Sequence, residues 1–184
     1  MATEIERKFL VRSDRWRGLG RRSRHIRQGY LSRDPARVVR VRVDDEGAWL
    51  TVKGPAVGAE RAEFDYAIPR DDADQMLAHL CLPPVIEKTR HEIAAAGLTW
   101  EVDEFHRPNR GLVLAEVELP SADFPLTLPD WVGAEVTGTA AVLQSEHGLG
   151  ERAATRRVAR LLLNSPQHRM QKTEIERAEL RRYV

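Results

Sequence analysis

Charged and apolar positions alternate along the chain from residue 3 to residue 119. Glu4, Glu6 and Lys8 alternate with Ile5, Arg7 and Phe9; Arg40 and Arg42 with Val39, Val41 and Val43; Thr51 and Lys53 with Leu50 and Val52. The same period runs through Arg61-Ala62-Glu63-Phe64-Asp65-Tyr66, Glu87-Lys88-Thr89-Arg90-His91-Glu92, Trp100-Glu101-Val102-Asp103 and Ala115-Glu116-Val117-Glu118-Leu119. A period of two puts each set on one face of a β-strand. Turn residues separate the runs: Asp45-Glu46-Gly47, Gly54-Pro55 and Pro108-Asn109-Arg110-Gly111. With a further strand over residues 24–32, the pattern predicts about eight strands, a number that suits a closed antiparallel barrel. One helix is expected over residues 71–80, where Met76, Leu77 and Leu80 form an apolar stripe and Asp71 and Asp72 sit in the first turn.

Each strand thus has a charged face, and the charges are of both signs. Two arrangements fit. In an ordinary sheet the polar face looks at water. In a barrel it can point inward, with the apolar face covered by helices or a partner. A lumen lined with both signs is costly unless something balances the charges. A polyphosphate chelated to a divalent metal does so, since cations take the phosphates and carboxylates take the metal.

Composition adds to this picture. The chain has 184 residues, 29 Lys+Arg and 28 Asp+Glu, a formal charge of +1. One domain, or one domain with an appendage, is expected from that length. No apolar stretch approaches the roughly 20 residues of a membrane helix. Glu4, Glu6 and Lys8 near the start do not read as a signal peptide. A single cysteine, Cys81, excludes a disulfide framework and a Cys-rich metal site, and a reducing cytoplasm is the expected compartment. Residues 138–184 carry a balance of +4 and residues 1–137 one of −3. The body therefore lacks the basic footprint of a nucleic-acid binder. Of the 29 basic residues 25 are Arg and only 4 are Lys, so Lys8, Lys53 and Lys88 stand out in the body. Lys is a compact point charge where Arg is a planar fork, and the two are not interchangeable. The six histidines show no zinc spacing.

Glu4-Ile5-Glu6-Arg7-Lys8 resembles the Glu-x-Glu-x-Lys signature of the CYTH superfamily, the triphosphate tunnel metalloenzymes. The order of the later motifs gives the resemblance its weight. Arg27-Gln28-Gly29-Tyr30-Leu31 is similar to the family's second strand, Arg40-Val41-Arg42 to its Arg-x-Arg strand and Thr51-Val52-Lys53-Gly54 to its lysine strand. Arg61-Ala62-Glu63-Phe64 comes next in the expected place, and Glu87-Lys88-Thr89-Arg90 resembles the Lys-x-Arg strand. Trp100-Glu101-Val102-Asp103 and Ala115-Glu116-Val117-Glu118-Leu119 resemble the two acidic strands, and Glu135-Val136-Thr137 the late Glu-Val-Thr. The likeness is greatest to the small single-domain bacterial members, mainly inorganic triphosphatases.

The resemblance implies a mainly β, α+β fold: an eight-stranded antiparallel β-barrel tunnel with helices packed outside. It implies roles as well. Lys8, Arg40, Arg42, Lys53, Lys88 and Arg90 would hold the triphosphate. Glu4, Glu6, Glu116 and Glu118 would hold Mg²⁺ or Mn²⁺. Lys8, Glu63, Glu101 and Asp103 would form the catalytic set, the three acids orienting cations or a second metal. The reaction would be phosphoryl transfer to water, driven by positioning and charge neutralisation. With several cations in one lumen, removal of Lys8 is expected to relieve like-charge repulsion. The partner would be a small-molecule triphosphate, with no nucleic acid and no membrane; a homodimer through the outer apolar faces is left open.

The tunnel domain is expected over residues 1–137 and a divergent basic helical tail over 138–184. After Glu-Val-Thr the family's Arg-Tyr-Ser-Asn-like stretch is replaced by Gly138-Thr139-Ala140-Ala141-Val142-Leu143-Gln144-Ser145. Helical runs are expected at 152–163 and 173–180, the second with a Thr173/Glu176 capping box. A shifted reading frame near residues 137–141 is a second account of the tail, because Val142–Gly148 can be encoded so that another frame reads Tyr-Ser-Asn-x-Asn-Met. Two rivals to the triphosphatase stand beside it. One is an adenylyl cyclase or thiamine triphosphatase on the same barrel; the other is a module that binds polyphosphate or nucleotide without turnover.

Overall fold

A computed structural model describes residues 3–57, 59–107 and 109–138. Nine strands form one antiparallel sheet: β1 (Thr3–Val11), β2 (Arg22–Ser32), β3 (Val38–Val43), β4 (Ala48–Lys53), β5 (Glu60–Ala67), β6 (Leu82–Ala95), β7 (Leu98–Phe105), β8 (Val113–Glu118) and β9 (Val132–Glu135). Helix α1 (Arg70–His79) joins β5 to β6, one residue earlier than its apolar stripe suggests. The two helical runs expected in the tail lie outside the described residues.

The spatial order is β5-β4-β3-β2-β6-β7-β8-β1, and a β5–β1 pairing closes the eight strands into a barrel with no free edge among them. Strand β1 forms the seam. One of its edges pairs with β8 from Glu6 to Leu10. Its other edge pairs with β5 only at Thr3, Glu4 and Ile5, and then with β9 at Phe9 and Val11. The ninth strand is not predicted by the alternation, because Val132-Gly133-Ala134-Glu135 carries no period of charge. It takes up the edge of β1 beyond the three residues that pair with β5.

The outward faces are largely apolar and covered, except on β5, where Phe64 and Tyr66 are exposed. Trp16, Trp100, Trp131, Phe9, Ile93, Val102 and Val117 make one cluster over β1, β6, β7 and β8, with Trp100 edge-on to Trp131 at 5.6 Å. Ala73 and Leu77 of α1 pack on Val41, Val43 and Ala48 of β3 and β4. Each large side chain so buried contributes about 1.5–3 kcal/mol. Strand β2 passes close under the end of α1 at Gly29, where a Cβ would meet Cys81 Sγ at 2.8 Å. No helix among the described residues is long and apolar enough to cross a membrane.

Candidate active site

The inward positions follow from register. Lys8 lies opposite Glu116 and Glu6 opposite Glu118. Lys53 faces Glu63, Thr51 faces both Arg40 and Asp65, and Arg90 faces Asp103. In-register partners share a face, so the charged positions of all these strands turn into one lumen. They line a cavity of 200 Å³ that holds seven acidic and seven basic side chains.

Twelve of the thirteen site residues named from the sequence line this cavity: Glu4, Glu6, Lys8, Arg40, Arg42, Lys53, Glu63, Lys88, Arg90, Glu101, Glu116 and Glu118. Asp103 does not. It is fully buried and lies behind the cations, accepting hydrogen bonds from Lys88 Nζ at 2.5 Å and from Arg90 Nε and Nη2 at 2.7 Å. Gln28, Tyr30, Val38, Arg61 and Asp65 also line the lumen but are not singled out as site residues by the sequence. Arg61 and Asp65 share the period-two face of Glu63, and Gln28 and Tyr30 that of β2, so the spacing alone carries their signal.

The lumen's charges are paired with one another. Lys8 Nζ sits 2.5 Å from Glu116 and 3.1 Å from Glu6. Lys53 Nζ sits 2.5 Å from Glu63 and 3.2 Å from Glu4. Arg90 joins Glu101, Asp103 and Glu116. Arg40 and Arg42 are less committed. Arg40 Nη2 donates to Thr51 Oγ1 at 3.1 Å and Arg42 stacks on Trp49 at 4.8 Å, while the buried Nε of each has no hydrogen-bond partner. Both donors are free to serve a ligand or water in the lumen.

Titration follows from this crowding. Burial first, and the nearby Glu116 second, push the Glu6 carboxyl up to about 7 against the pull of Lys8. Burial and a hydrogen bond with Glu63 raise Glu4. Burial would raise Asp103 as well, but Arg90 and Lys88 outweigh it and hold the carboxyl below its usual range. Burial lowers Lys88, and Arg90 adds to that. Burial also lowers Arg42, with Arg40 and Arg90 pushing the same way.

Charge is unevenly spread along the lumen. A neighbouring cavity of 530 Å³ shares Glu4, Glu6, Glu101, Glu116 and Glu118 and adds Glu92, with no basic residue in its wall. Among the described residues, no three carboxylates converge on one point as a finished metal cage, and Lys8 and Lys53 pair with Glu116 and Glu4. The donor set is nonetheless oxygen only, as a hard divalent ion requires, and Glu4 and Glu6, raised chiefly by burial, belong to it.

The CYTH domain family model matches residues 2–154. The inorganic triphosphatase of Acetivibrio thermocellus is 46% identical over 145 residues, covering 79% of this chain and 92% of that protein. The crystal structure of the inorganic triphosphatase NE1496 superposes with a TM-score of 0.57 at 30% identity, covering 80% of this chain and 98% of that one. A putative adenylate cyclase from Bacillus halodurans shares the fold, with a TM-score of 0.52 at 18% identity over 66% of this chain and 83% of that one.

Proposed function

The chain belongs to the CYTH domain family, and on that premise we propose that it is an inorganic triphosphatase that hydrolyses tripolyphosphate in its charged lumen, with Mg²⁺ or Mn²⁺ as cofactor. One observation carries the reading: seven basic and seven acidic side chains share a cavity of 200 Å³, two of the arginines having unpaired buried donors. Among the residues that line it only Tyr30 and Val38 are not strongly polar, so a compact, highly charged anion suits it better than the base of a nucleotide or the rings of thiamine triphosphate. The other wall of the lumen, with its six carboxylates, is a poor place for further phosphate and a good one for a cation.

In this reading Arg40, Arg42, Lys53, Lys88, Arg90 and Lys8 grip the phosphate oxygens, and Glu4, Glu6, Glu116 and Glu118 hold the metal. The metal, when bound, neutralises charge on the phosphoryl group in flight. Lys8 stands between the two sets, 2.5 Å from Glu116, and stabilises the charge that develops on transfer. Asp103 positions Lys88 and Arg90 from behind rather than touching substrate, and Glu101 steadies Arg90. Glu63, lowered by its bond with Glu4 and by Lys53 against the burial that would raise it, stays ionised and accepts the proton of the attacking water. A cytoplasmic site of action, and a tunnel domain ending near residue 137, are parts of the same proposal.

Phosphate release from tripolyphosphate, ATP and thiamine triphosphate, each with Mg²⁺, Mn²⁺ or chelator, tests it. Turnover is expected to be fastest with tripolyphosphate and to vanish in chelator. Faster turnover of ATP or thiamine triphosphate assigns the site to one of the rivals, and tight binding of tripolyphosphate without release of phosphate makes the chain a binding module.

A further inference from the structure

The polar lumen ends on an apolar floor. Toward one end of the barrel the inward face changes character on six of the eight strands: Lys8 is followed by Leu10, Gln28 by Tyr30, Asp103 by Phe105, and, on the strands that run the other way, Arg40 is preceded by Val38, Lys88 by Ile86 and Glu116 by Leu114, while β4 and β5 set Lys53 and Glu63 beside Val38 at the rim of this floor. These six side chains, with Leu112, Ala134 and Val136, form one buried cluster in which none is more than 7% exposed. Tyr30 and Val38 belong to that cluster and also line the charged cavity, so the cluster underlies it. The strand ends opposite carry Glu4, Glu92, Glu101 and Glu118.

We propose that this floor is a length stop: the lumen admits the terminus of a phosphate chain and excludes its interior, and Val38, Phe105 and Leu114 are the residues that set this specificity. The inference rests on the phosphate reading of the lumen given above. A chain whose middle lay among Lys53, Arg40 and Lys88 needs two polar exits. The way past the floor would draw charged oxygens through apolar side chains, where an unpaired charge is prohibitively costly. Doubling back would lay a second run of phosphates along the six carboxylates of the neighbouring cavity. A terminus needs one exit only, and its outermost phosphoryl group can rest above Val38 within reach of Arg40.

Calorimetry on the full chain in Mg²⁺ decides the matter, with two probes: imidotriphosphate, which resists hydrolysis, and long-chain polyphosphate with both ends blocked as alkyl esters. The blocked chain is expected to bind at least about tenfold more weakly, the discrimination that a filled space the size of a methylene or two can impose. In Val38→Ala, and in the milder Leu114→Val, that gap should narrow while the thermal transition shows the barrel still folded. Equal affinity for the two probes in the parent protein overturns the proposal without recourse to any variant. A gap that persists unchanged in a folded floor variant removes the floor as its cause. Failure to bind either probe overturns both the stop and the phosphate reading. Binding of imidotriphosphate without turnover of tripolyphosphate overturns the hydrolase alone, and the ratio of the two affinities still judges the stop.

Discussion

Lys8 and Glu6 show how far a single charge depends on its neighbours. From sequence, removing Lys8 promises relief of repulsion among cations. The structure reverses the sign, because among the described residues Lys8 Nζ lies 2.5 Å from Glu116 and 3.1 Å from Glu6. Lys8→Ala is therefore expected to lower the melting temperature of the metal-free protein and to reduce kcat by about 10²–10³, the loss typical of one preorganised donor. Lys8→Arg should fail as well, since a longer, planar guanidinium cannot take the place of a compact ammonium in so crowded a lumen; wild-type turnover in that variant refutes the geometric argument. Glu6 gives a pH signature. Its carboxyl is raised from 4.5 to about 7, so the folded protein holds the proton more tightly than the unfolded chain. The stabilisation is complete below about 4.5 and is lost as pH rises through 7, an effect on the order of 3 kcal/mol. Glu6→Gln, measured in chelator, should therefore melt above the parent at pH 8 and converge with it near pH 4.5. A variant that melts lower at pH 8 shows that the Lys8 contact outweighs the burial of the charge.

At the scale of the element, the last residue of β9 and the two that follow it hold β1 where β5 has left it. Arg7 makes two hydrogen bonds to Glu135, at 2.9 and 2.7 Å; the Val136 amide donates to the Lys8 carbonyl at 2.8 Å; and the Lys8 amide donates to Thr137 Oγ1 at 3.0 Å. Glu135-Val136-Thr137 thus satisfies the backbone of the very residue that carries Lys8 into the lumen. Thr137→Val keeps the shape and leaves the Lys8 N–H without its acceptor, a loss of about 1–3 kcal/mol. Hydrogen exchange at the Lys8 amide should accelerate, and kcat should fall while the barrel remains folded; unchanged exchange at that amide contradicts the role. The motif is legible in the sequence as a likeness, but its work is not, because a backbone contact across some 130 residues leaves no period to read. The eight barrel strands are legible because Glu4-x-Glu6-x-Lys8 and Arg40-x-Arg42 alternate strictly. The floor is hidden in the same strands: one step past the charges, Leu10, Phe105 and Leu114 keep the inward register but look, letter by letter, like ordinary outward core. Asp103 keeps its place on the inward face, yet its position behind Lys88 and Arg90 depends on side-chain depth, which spacing does not encode.

Taken whole, the molecule is a barrel whose lumen is charge-balanced before any ligand arrives. Lys8 is held by Glu116, Lys53 by Glu4 and Glu63, and Arg90 by Glu101, Asp103 and Glu116. An anion that binds alone must draw these cations away and leave carboxylates unpaired in a buried site, which is costly. A divalent cation alone does the converse to the lysines. Bound together, each occupies the partners that the other releases. Metal and phosphate should therefore bind with positive, reciprocal coupling, typically worth about 1–3 kcal/mol. Metal and phosphate also associate in water, so the decisive variant is one that alters the internal pairing. Glu116→Gln removes the partner shared by Lys8 and Arg90. With that carboxylate gone, imidotriphosphate should bind the metal-free protein more tightly than it binds the parent, and the gain from adding Mg²⁺ should shrink. Calorimetric titrations of parent and variant, in chelator and in Mg²⁺ at matched free anion, measure both quantities. Weaker metal-free binding by a folded Glu116→Gln protein would mean that Glu116 orients the cations for phosphate rather than withholding them, and that the balanced lumen does not couple the two ligands.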